Sequence, residues 1–485
     1  MRMINREEVL IDGQWRKPEG AAPIQVISPS TEEVIGSVPD TGAHDVDAAV
    51  GAARRSFDEG TWRRLGVDGR AEVLERALQI IAPKLEEVAT LVTSEMGLPI
   101  SIAGALIPSA LESARYFINV ARNEPVVELR PGATTAAVLK EPVGVVASIA
   151  PWNGPFNQAV NKIVPALMAG CSVVFKPAPE TPLDVYYFAE ALTEAGLPDG
   201  VFNLITGGRD TGRALVDHPG VDKVSFTGST DAGREIGAAC GRSFKRMQLE
   251  LGGKSAAIIL DDADIPTTMQ GLAMGSFFNS GQVCAAYSRV LVSRARHDEF
   301  VDALVATAES FVVGDPFDPA TTMGPLAAER QRERVEGYIA LGIAEGAKLL
   351  TGGGRPKGLD RGWYVQPTVF GSADNSMRIC REEIFGPVAT VLTYDSVEEA
   401  IAIANDSDYG LHGAVFTSDE QAAVNVAKAV RTGTFSINAF SYNHEAPFGG
   451  VKCSGVGRDT GREGLTAYYE LKTVNLTPGM DRLFT

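Results

Sequence analysis

The segment from Val143 to Gly228 decides the fold, because short apolar runs alternate in it with stretches that predict helices. The runs are Val145-Val146-Ala147-Ser148-Ile149, Val173-Val174-Phe175, Val201-Phe202-Asn203-Leu204-Ile205 and Val224-Ser225-Phe226. Apolar strands that alternate with helices are typical of a parallel sheet covered on both faces. Ligands of such sheets bind beyond the carboxyl ends of the strands, so we expect the functional residues there.

The sequence on either side of this segment indicates further layers. Residues 9–40 predict short strands and turns, and residues 46 to about 124 predict helices. Residues 255–446 predict a second α/β region, and residues 470–476 predict a last strand. We therefore expect an α/β protein with more than one domain, as a length of 485 residues also indicates.

Residues 125–142 predict a hairpin between the helical layer and the first sheet. An exposed hairpin with apolar residues would promote aggregation unless its edge is covered. A partner subunit can supply the cover, and so can the chain itself. The pattern does not distinguish these alternatives.

Composition and charge exclude several classes of protein. A hydrophobic content of 45% with 22% charged residues is that of a globular protein, and the formal charge of −17 argues against nucleic acid or an anionic membrane as partner. The five cysteines form no Cys-x-x-Cys pair or Cys/His cluster, so neither a disulfide framework nor a metal site is expected. The first residues lack the apolar core of a signal peptide, and no apolar run is long enough to cross a bilayer. We expect a cytoplasmic protein.

The stretch Gly281-Gln282-Val283-Cys284 carries the candidate nucleophile. Gly281 interrupts a predicted helix, so the thiol is expected on a turn that a substrate can approach. Most free cysteines are instead buried small hydrophobic residues, and position alone favours that alternative.

Two strand ends predict contacts with a cofactor. In Thr227-Gly228-Ser229, glycine permits a sharp turn and serine can cap the next helix, whose N-terminus suits a diphosphate. Lys176 follows another strand and can bind ribose hydroxyls or phosphate. A capped surface helix and a solvated lysine are the simpler explanations of each motif taken alone.

Two other strand ends carry groups suited to catalysis. Asn153 offers an amide donor of the kind that holds an oxyanion, although turn-forming asparagines are common. Glu250 ends an apolar strand, where burial would raise the pKa of its carboxyl group towards that of a general base. A structural, salt-bridged glutamate is the alternative.

Together and in this order, these motifs resemble the aldehyde dehydrogenase superfamily. The resemblance continues through Glu382-Glu383-Ile384-Phe385-Gly386-Pro387 and Pro447-Phe448-Gly449-Gly450 and covers essentially the whole chain. It implies a Rossmann-like parallel-sheet NAD(P)-binding domain (residues 1–124 and 143–252) and an α/β catalytic domain (residues 253–467). It also implies small β oligomerisation elements (residues 125–142 and 468–485) that form a homodimer or homotetramer.

The resemblance assigns a mechanism to three residues. Cys284 would attack the aldehyde, and Asn153 together with the backbone N–H of Cys284 would hold the thiohemiacetal oxyanion. Hydride transfer to the cofactor would leave a thioester. Glu250 would then activate water to release a carboxylic acid. The alternatives are a cysteine-dependent ester hydrolase and a non-catalytic paralogue of the fold.

The resemblance also predicts a cofactor site and a substrate pocket. The cofactor residues would be Ile149, Pro151, Trp152, Lys176, Gly208, Gly212, Phe226, Gly228, Ser229, Leu251, Glu383 and Phe385. NAD is the predicted cofactor, but NADP is not excluded, because Pro179 occupies a position where NAD-preferring relatives often carry glutamate. The substrate pocket would contain Asn157, Gln158, Asn161, Phe278 and Phe448, and its amides favour a moderately polar aldehyde.

Overall fold

The computed structural model describes residues 3–20 and 22–484, so the outer ends of the predicted segments 1–124 and 468–485 and residue 21 lie outside it. The strands are β1 (Ile4–Asn5), β2 (Val9–Ile11), β3 (Gln14–Arg16), β4 (Pro23–Ile27), β5 (Val34–Pro39), β6 (Val127–Arg130), β7 (Ala136–Pro142), β8 (Val145–Ile149), β9 (Ser172–Lys176), β10 (Phe202–Leu204), β11 (Lys223–Thr227), β12 (Arg246–Glu250), β13 (Ser255–Ile259), β14 (Tyr287–Ser293), β15 (Lys348–Thr351), β16 (Thr368–Gly371), β17 (Val388–Tyr394), β18 (Gly413–Phe416), β19 (Ser436–Ile437), β20 (Gly455–Val456) and β21 (Tyr469–Asn475).

The helices connect these strands and cover the sheets. They are α1 (Ala43–Glu59), α2 (Thr61–Arg64), α3 (Gly66–Ile81), α4 (Leu85–Met96), α5 (Ile100–Leu106), α6 (Ser109–Asn123), α7 (Pro155–Ala169), α8 (Val185–Glu194), α9 (Arg209–Asp217), α10 (Thr230–Ser243), α11 (Ile265–Leu272), α12 (His297–Glu309), α13 (Glu329–Ala344), α14 (Arg378–Arg381), α15 (Val397–Asn405), α16 (Glu420–Ala429) and α17 (Gly461–Thr466). Across residues 3–20 and 22–484, none of the helices has the length and apolar character needed to cross a membrane.

The first large sheet has eight strands in the order β20-β12-β11-β8-β9-β10-β2-β3. Its five central strands are parallel, as the alternating pattern predicts. The register aligns Phe226 with Ile149 and Ile149 with Lys176, so their strands end at one edge. This edge is where residues far apart in the chain meet.

The second large sheet has seven strands in the order β15-β16-β17-β14-β13-β18-β19. All neighbouring pairs are parallel except β15 with β16. Two parallel-sheet regions with helical covers confirm the predicted α/β class.

Both sheets are buried on both faces, which explains their continuous apolar strands. On β8, Val146 belongs to one hydrophobic cluster, whereas Val145 and Ala147 belong to another on the opposite face. On β13, Ile258 and Ile259 likewise lie in different clusters.

The predicted hairpin forms from β6 and β7, and β21 pairs with the other side of β7. The resulting order β21-β7-β6 means that the chain itself covers one edge of the hairpin. The side chain of Leu471 on β21 remains 64% exposed, so this small sheet still presents an apolar outer surface. A separate small sheet has the order β1-β5-β4.

Candidate active site

The carboxyl ends of the first sheet open into a cleft of about 840 Å³. Nine of the predicted cofactor residues line it: Ile149, Pro151, Trp152, Lys176, Gly208, Gly212, Phe226, Gly228 and Ser229. The sequence motifs did not indicate the charged side chains at its rim: Glu180, Arg209, Arg213, Asp217, Glu235, Arg242 and Arg330. An elongated cleft of this lining suits a dinucleotide.

The N-terminus of α10 faces this cleft. A Cβ on Gly228 would lie 2.5 Å from the ring of Phe226, so the turn has room for glycine alone. The Ser229 hydroxyl caps the helix by accepting a hydrogen bond from the Ala232 N–H at 3.3 Å. The first N–H groups of a helix have no partner within it and carry the positive end of the helix dipole. The turn therefore fits a diphosphate.

Lys176 lies in the same cleft with its side chain almost fully buried. Its Nζ donates to the Pro177 carbonyl at 2.9 Å, and burial lowers the pKa of this ammonium group to about 8. The Nζ has donors left for a ribose hydroxyl, because an ammonium group carries three N–H bonds.

A central cavity of about 220 Å³ continues from this cleft to Cys284. Trp152 and Phe385 pack edge to face at 5.3 Å on its wall. Glu383 Oε1 accepts a hydrogen bond from the Gly253 N–H at 2.9 Å, and burial raises the pKa of this carboxyl group to about 7. The second oxygen of Glu383 can accept a hydrogen bond from a ligand.

A strained turn presents the nucleophile. A π-helical turn, Ala273–Phe277, precedes it, and Asn279, Ser280 and Gly281 then adopt successive positive φ angles of 53°, 56° and 69°. A Cβ on Gly281 would collide with the Gly386 carbonyl, so the predicted role of this glycine in the turn agrees with the structure. Left-handed backbone at two non-glycine residues costs energy and is concentrated at functional sites.

Hydrogen bonds connect Asn153 to this turn. Its Nδ2 donates to the Gln282 carbonyl at 2.9 Å, and Asn279 Nδ2 donates to the Asn153 carbonyl at 3.0 Å. One hydrogen on Asn153 Nδ2 remains available, since a side-chain amide has two. The amide is thus held beside Cys284 with a free donor, the arrangement required for an oxyanion.

Glu250 and Cys284 interact across the central cavity. Both Glu250 oxygens are buried and accept no hydrogen bond of usual length from the described residues. Burial, reinforced by Asp459, raises the pKa of the Glu250 carboxyl group to about 8. Burial and then the Glu250 charge raise the pKa of the Cys284 thiol well above its usual range. The thiol therefore needs a base, and the carboxylate beside it can take the proton.

Asp459 and Lys162 form a buried ion pair at 3.2 Å behind Glu250. Asp459 raises the pKa of Glu250 and Lys162 lowers it, so the pair sets part of the potential at the candidate base. Sequence motifs did not indicate either residue, because they lie on α7 and near α17, almost 300 positions apart.

A third cavity, of about 560 Å³, lies on the other side of Cys284. The five predicted pocket residues, Asn157, Gln158, Asn161, Phe278 and Phe448, all line it. It also contains Val92, Met96, Leu98, Leu106 and Ile107, which the sequence motifs missed. Val92 and Met96 follow helical spacing in α4, and four of the five residues belong to the buried core, so their sequence resembles that of ordinary core residues.

Leu251 is a predicted cofactor residue whose side chain packs beside Gly233 at the start of α10. Its N–H donates to the Ser454 carbonyl. Its neighbours Glu250 and Gly252 line the central cavity, and its own contact with the cofactor stays a prediction.

The sequence model of the Aldehyde dehydrogenase family matches residues 15–474. The chain belongs to this family. A geranial dehydrogenase from Castellaniella defragrans is 46% identical to this aldehyde dehydrogenase over 98% of this chain and 99% of its own length. A 3-succinoylsemialdehyde-pyridine dehydrogenase from a Pseudomonas species is 44% identical over 97% and 99% of the two chains.

A solved structure of an aldehyde dehydrogenase from Mycobacterium tuberculosis in complex with NAD+ is similar to this aldehyde dehydrogenase. It has 45% sequence identity and a TM-score of 0.96, with coverage of 98% of this chain and 99% of that one. The match confirms the predicted enzyme class and fold. The predicted cofactor, NAD, is the one bound in that structure, which confirms the prediction at the level of the family.

Proposed function

We propose that this enzyme oxidises an aldehyde to a carboxylic acid with NAD, through a thioester on Cys284. The observation that carries the proposal is that the Asn153 amide, the Cys284 thiol and the Glu250 carboxyl group line the central cavity together, where it meets the substrate cavity. A nucleophile, an oxyanion donor and a base at one point constitute a site for acyl chemistry.

In the first step, Cys284 Sγ bonds to the aldehyde carbon as Glu250 takes the thiol proton. The free hydrogen of Asn153 Nδ2 and the backbone N–H of Cys284 stabilise the oxygen as it gains charge. NAD, bound in the cleft, would supply the acceptor for the hydride that this carbon loses. Glu250 releases the thiol proton to solvent and then removes a proton from water as the water adds to the thioester carbonyl. The C–S bond breaks, the carboxylic acid leaves, and the Cys284 thiolate takes the proton back from Glu250.

The residues of the cleft fit this cofactor. The N-terminus of α10 suits the diphosphate, Lys176 the adenosine ribose and Glu383 the nicotinamide ribose. We assign the NAD-binding domain to residues 1–124 and 143–252 and the catalytic domain to residues 253–467. The strand β20 crosses this division, since Gly455–Val456 pairs with β12 at the edge of the first sheet.

A simple cysteine hydrolase is less well supported. Such enzymes pair the thiol with histidine. The groups that perturb the Cys284 thiol are Glu250, Glu383 and the backbone of Ala285, with no histidine. The carboxylate at this position supports a base that acts on water after the oxidation.

We also propose that the β21-β7-β6 sheet assembles a homodimer or homotetramer, since its outer strands β21 and β6 have unpaired edges within the described chain. Light scattering on the eluting protein measures the mass, and a monomer at assay concentration would contradict this assignment. The five free cysteines fit a reducing cytoplasm.

The proposed reaction is tested by mixing the enzyme with NAD and a panel of aldehydes and following the absorbance of the reduced cofactor. We expect one reduced cofactor and one carboxylic acid per aldehyde consumed, the acid being identified by mass spectrometry. Acid formation without cofactor reduction would contradict the proposal, as would no reaction across a panel of short, long and aromatic aldehydes.

A further inference from the structure

The substrate cavity beside Cys284 has an uncharged lining. Among the described residues that form it, there is no aspartate, glutamate, lysine or arginine. Its two titratable bases are His412 and His444, and His444 lies on an exposed loop at residues 440–448. A charged substrate would therefore find no fixed counter-charge in this cavity.

His412 is held as a neutral ring. Its Nδ1 lies 2.7 Å from Thr434 Oγ1 and its Nε2 lies 3.2 Å from the Tyr287 hydroxyl. Its ring stacks on Tyr287 at 5.5 Å, and burial lowers the pKa of the imidazole to about 4. At neutral pH this side chain adds no charge to the cavity.

The amide groups that suggested a polar pocket are partly committed to the protein. Asn157 Nδ2 donates to the Leu106 carbonyl at 3.2 Å and to Ser109 Oγ at 3.1 Å, which uses both of its hydrogens. Asn161 Oδ1 accepts from the Ser113 hydroxyl at 2.6 Å. These amides connect α7 to α5 and α6, so the hydrogen-bonding groups named here already have partners within the protein.

The opposite wall is hydrocarbon. Val92, Met96, Leu98 and Ile107 are at most 2% exposed and belong to the core of the helical layer. Phe278 and Phe448 add aromatic faces. The accessible apolar contact area comes from Leu106, Phe278 and Phe448, which are partly exposed, and the buried residues behind them carry no charge.

We propose that this enzyme selects uncharged aldehydes with an apolar hydrocarbon tail and discriminates against aldehydes that carry a carboxylate. The inference rests on the proposed aldehyde oxidation at Cys284. It differs from the expectation of a moderately polar aldehyde drawn from the asparagines and glutamine of α7, and the test below compares the two.

Two physical effects act in the same direction. A charge moved from water into a cavity without a counter-charge loses hydration that nothing replaces. Each methylene that enters the apolar cavity gains transfer free energy, which corresponds to about a fourfold gain in kcat/KM per methylene. Selectivity then depends on both the end group and the chain length.

The test uses matched pairs of aldehydes with NAD. Octanal is compared with suberic semialdehyde, which has the same carbon count and a terminal carboxylate. Pentanal is compared in the same way with glutaric semialdehyde, which also ends in a carboxylate. We expect kcat/KM to be about 100-fold or more higher for the neutral member of each pair. From butanal to octanal we expect kcat/KM to rise with each added methylene.

The outcomes separate this inference from the proposed function. If the kcat/KM values of the charged and neutral aldehydes in a pair lie within about threefold of one another, the proposed selectivity is wrong. The proposed aldehyde oxidation would still stand. A kcat/KM that does not change from butanal to octanal would also contradict the proposed selectivity. If no aldehyde in the panel reduces NAD, both proposals fail.

A matched pair of variants tests the cause. Leu106 lines the cavity and is partly exposed, so Leu106→Arg can place a cation at the cavity wall, whereas Leu106→Gln adds polarity without charge. We expect L106R to reduce the ratio of kcat/KM for octanal to kcat/KM for suberic semialdehyde at least tenfold. We expect L106Q to leave this ratio within about threefold of the wild-type value. Equal ratios in the two variants would show that missing counter-charge does not set the selectivity. The wild-type pairs decide the question by themselves if L106R does not fold.

Discussion

The two sides of Cys284 are built in different ways. On the cofactor side, the cleft is lined mainly by residues that end or follow the parallel strands β8, β9, β10 and β11. On the substrate side, the cavity draws on α4, α5, α7 and the loop at residues 440–448. The first is assembled by sheet register and the second by the packing of helices against one another.

Because of this difference, we expect the two sides of the site to respond separately to substitution. A parallel sheet brings its strand ends to one edge whatever the loops between them contain. The helical wall can change residue by residue without disturbing that edge. We therefore expect changes at the substrate side to alter the choice of aldehyde and changes at the cofactor side to alter the choice of cofactor.

Replacing the residue shared by both sides has the largest expected effect. Cys284→Ala should lower kcat by about 10⁴-fold or more, because no other group can form the thioester. NAD binding, measured by calorimetry, should stay within about twofold of wild type. Cys453→Ala, a change at a partly exposed cysteine away from the cavities, serves as the control and should keep full activity. Turnover by C284A would refute the assignment of the nucleophile.

Glu250→Gln should lower kcat by about 10³-fold, because the amide cannot remove a proton from the thiol or from water. A rapid-quench experiment should show acyl-enzyme that accumulates in the first turnover. Glu382→Gln alters a neighbouring glutamate that pairs with Arg378 at the surface and should keep normal kcat. Equal kcat in E250Q and wild type would remove Glu250 from the mechanism.

The same carboxyl group predicts the pH profile. Its pKa is raised to about 8, mainly by burial, and the base form is the deprotonated one. The rate should therefore rise with pH up to about 8 and fall about tenfold per pH unit below it. A rate independent of pH between about 6 and 8 would indicate that another step or another base limits turnover.

A smaller effect is expected at the adenosine end of the cofactor side. Pro179 lines the cleft, and Pro179→Glu would place a carboxylate there that repels a 2′-phosphate. We expect the ratio of kcat/KM for NAD to that for NADP to rise about tenfold, with the KM for octanal unchanged. Pro179→Ala is the control, because it removes the proline ring without adding a charge. If P179E and P179A have the same ratio of kcat/KM for NAD to kcat/KM for NADP, charge at this position does not set the cofactor preference.

The smallest effect is expected at the substrate side. Phe448→Ala removes an aromatic face that packs on Tyr442 at 5.4 Å. We expect kcat/KM for octanal to fall about fivefold, with the KM for NAD unchanged, because apolar contact is lost. Phe448→Leu should recover most of that loss. An equal change in the KM for both substrates would contradict the separation of the two sides.

The parallel strands and the cofactor motifs were predictable because each depends on residues that are adjacent in the chain. The predicted hairpin forms between Val127 and Pro142.

The substrate wall could not be predicted in the same way. The asparagines of α7 indicate a polar face by their spacing. Only the contact with α5 and α6 shows that Asn157 donates both amide hydrogens to protein groups. The apolar residues of α4 and α5 have the same spacing whether they face a core or a cavity. Distance along the chain also concealed the Lys162–Asp459 pair behind Glu250.

The amino-acid sequence by itself determined the α/β class, the order of the motifs and the identity of Cys284, Asn153 and Glu250 as candidates. These features depend on local periodicity and on residue chemistry. The tertiary structure alone decided the environment of each group: the raised pKa of Glu250, the free hydrogen of Asn153 and the uncharged cavity. Burial and hydrogen bonding are sums over neighbours from many parts of the chain, so they exist only once the helices and sheets have packed.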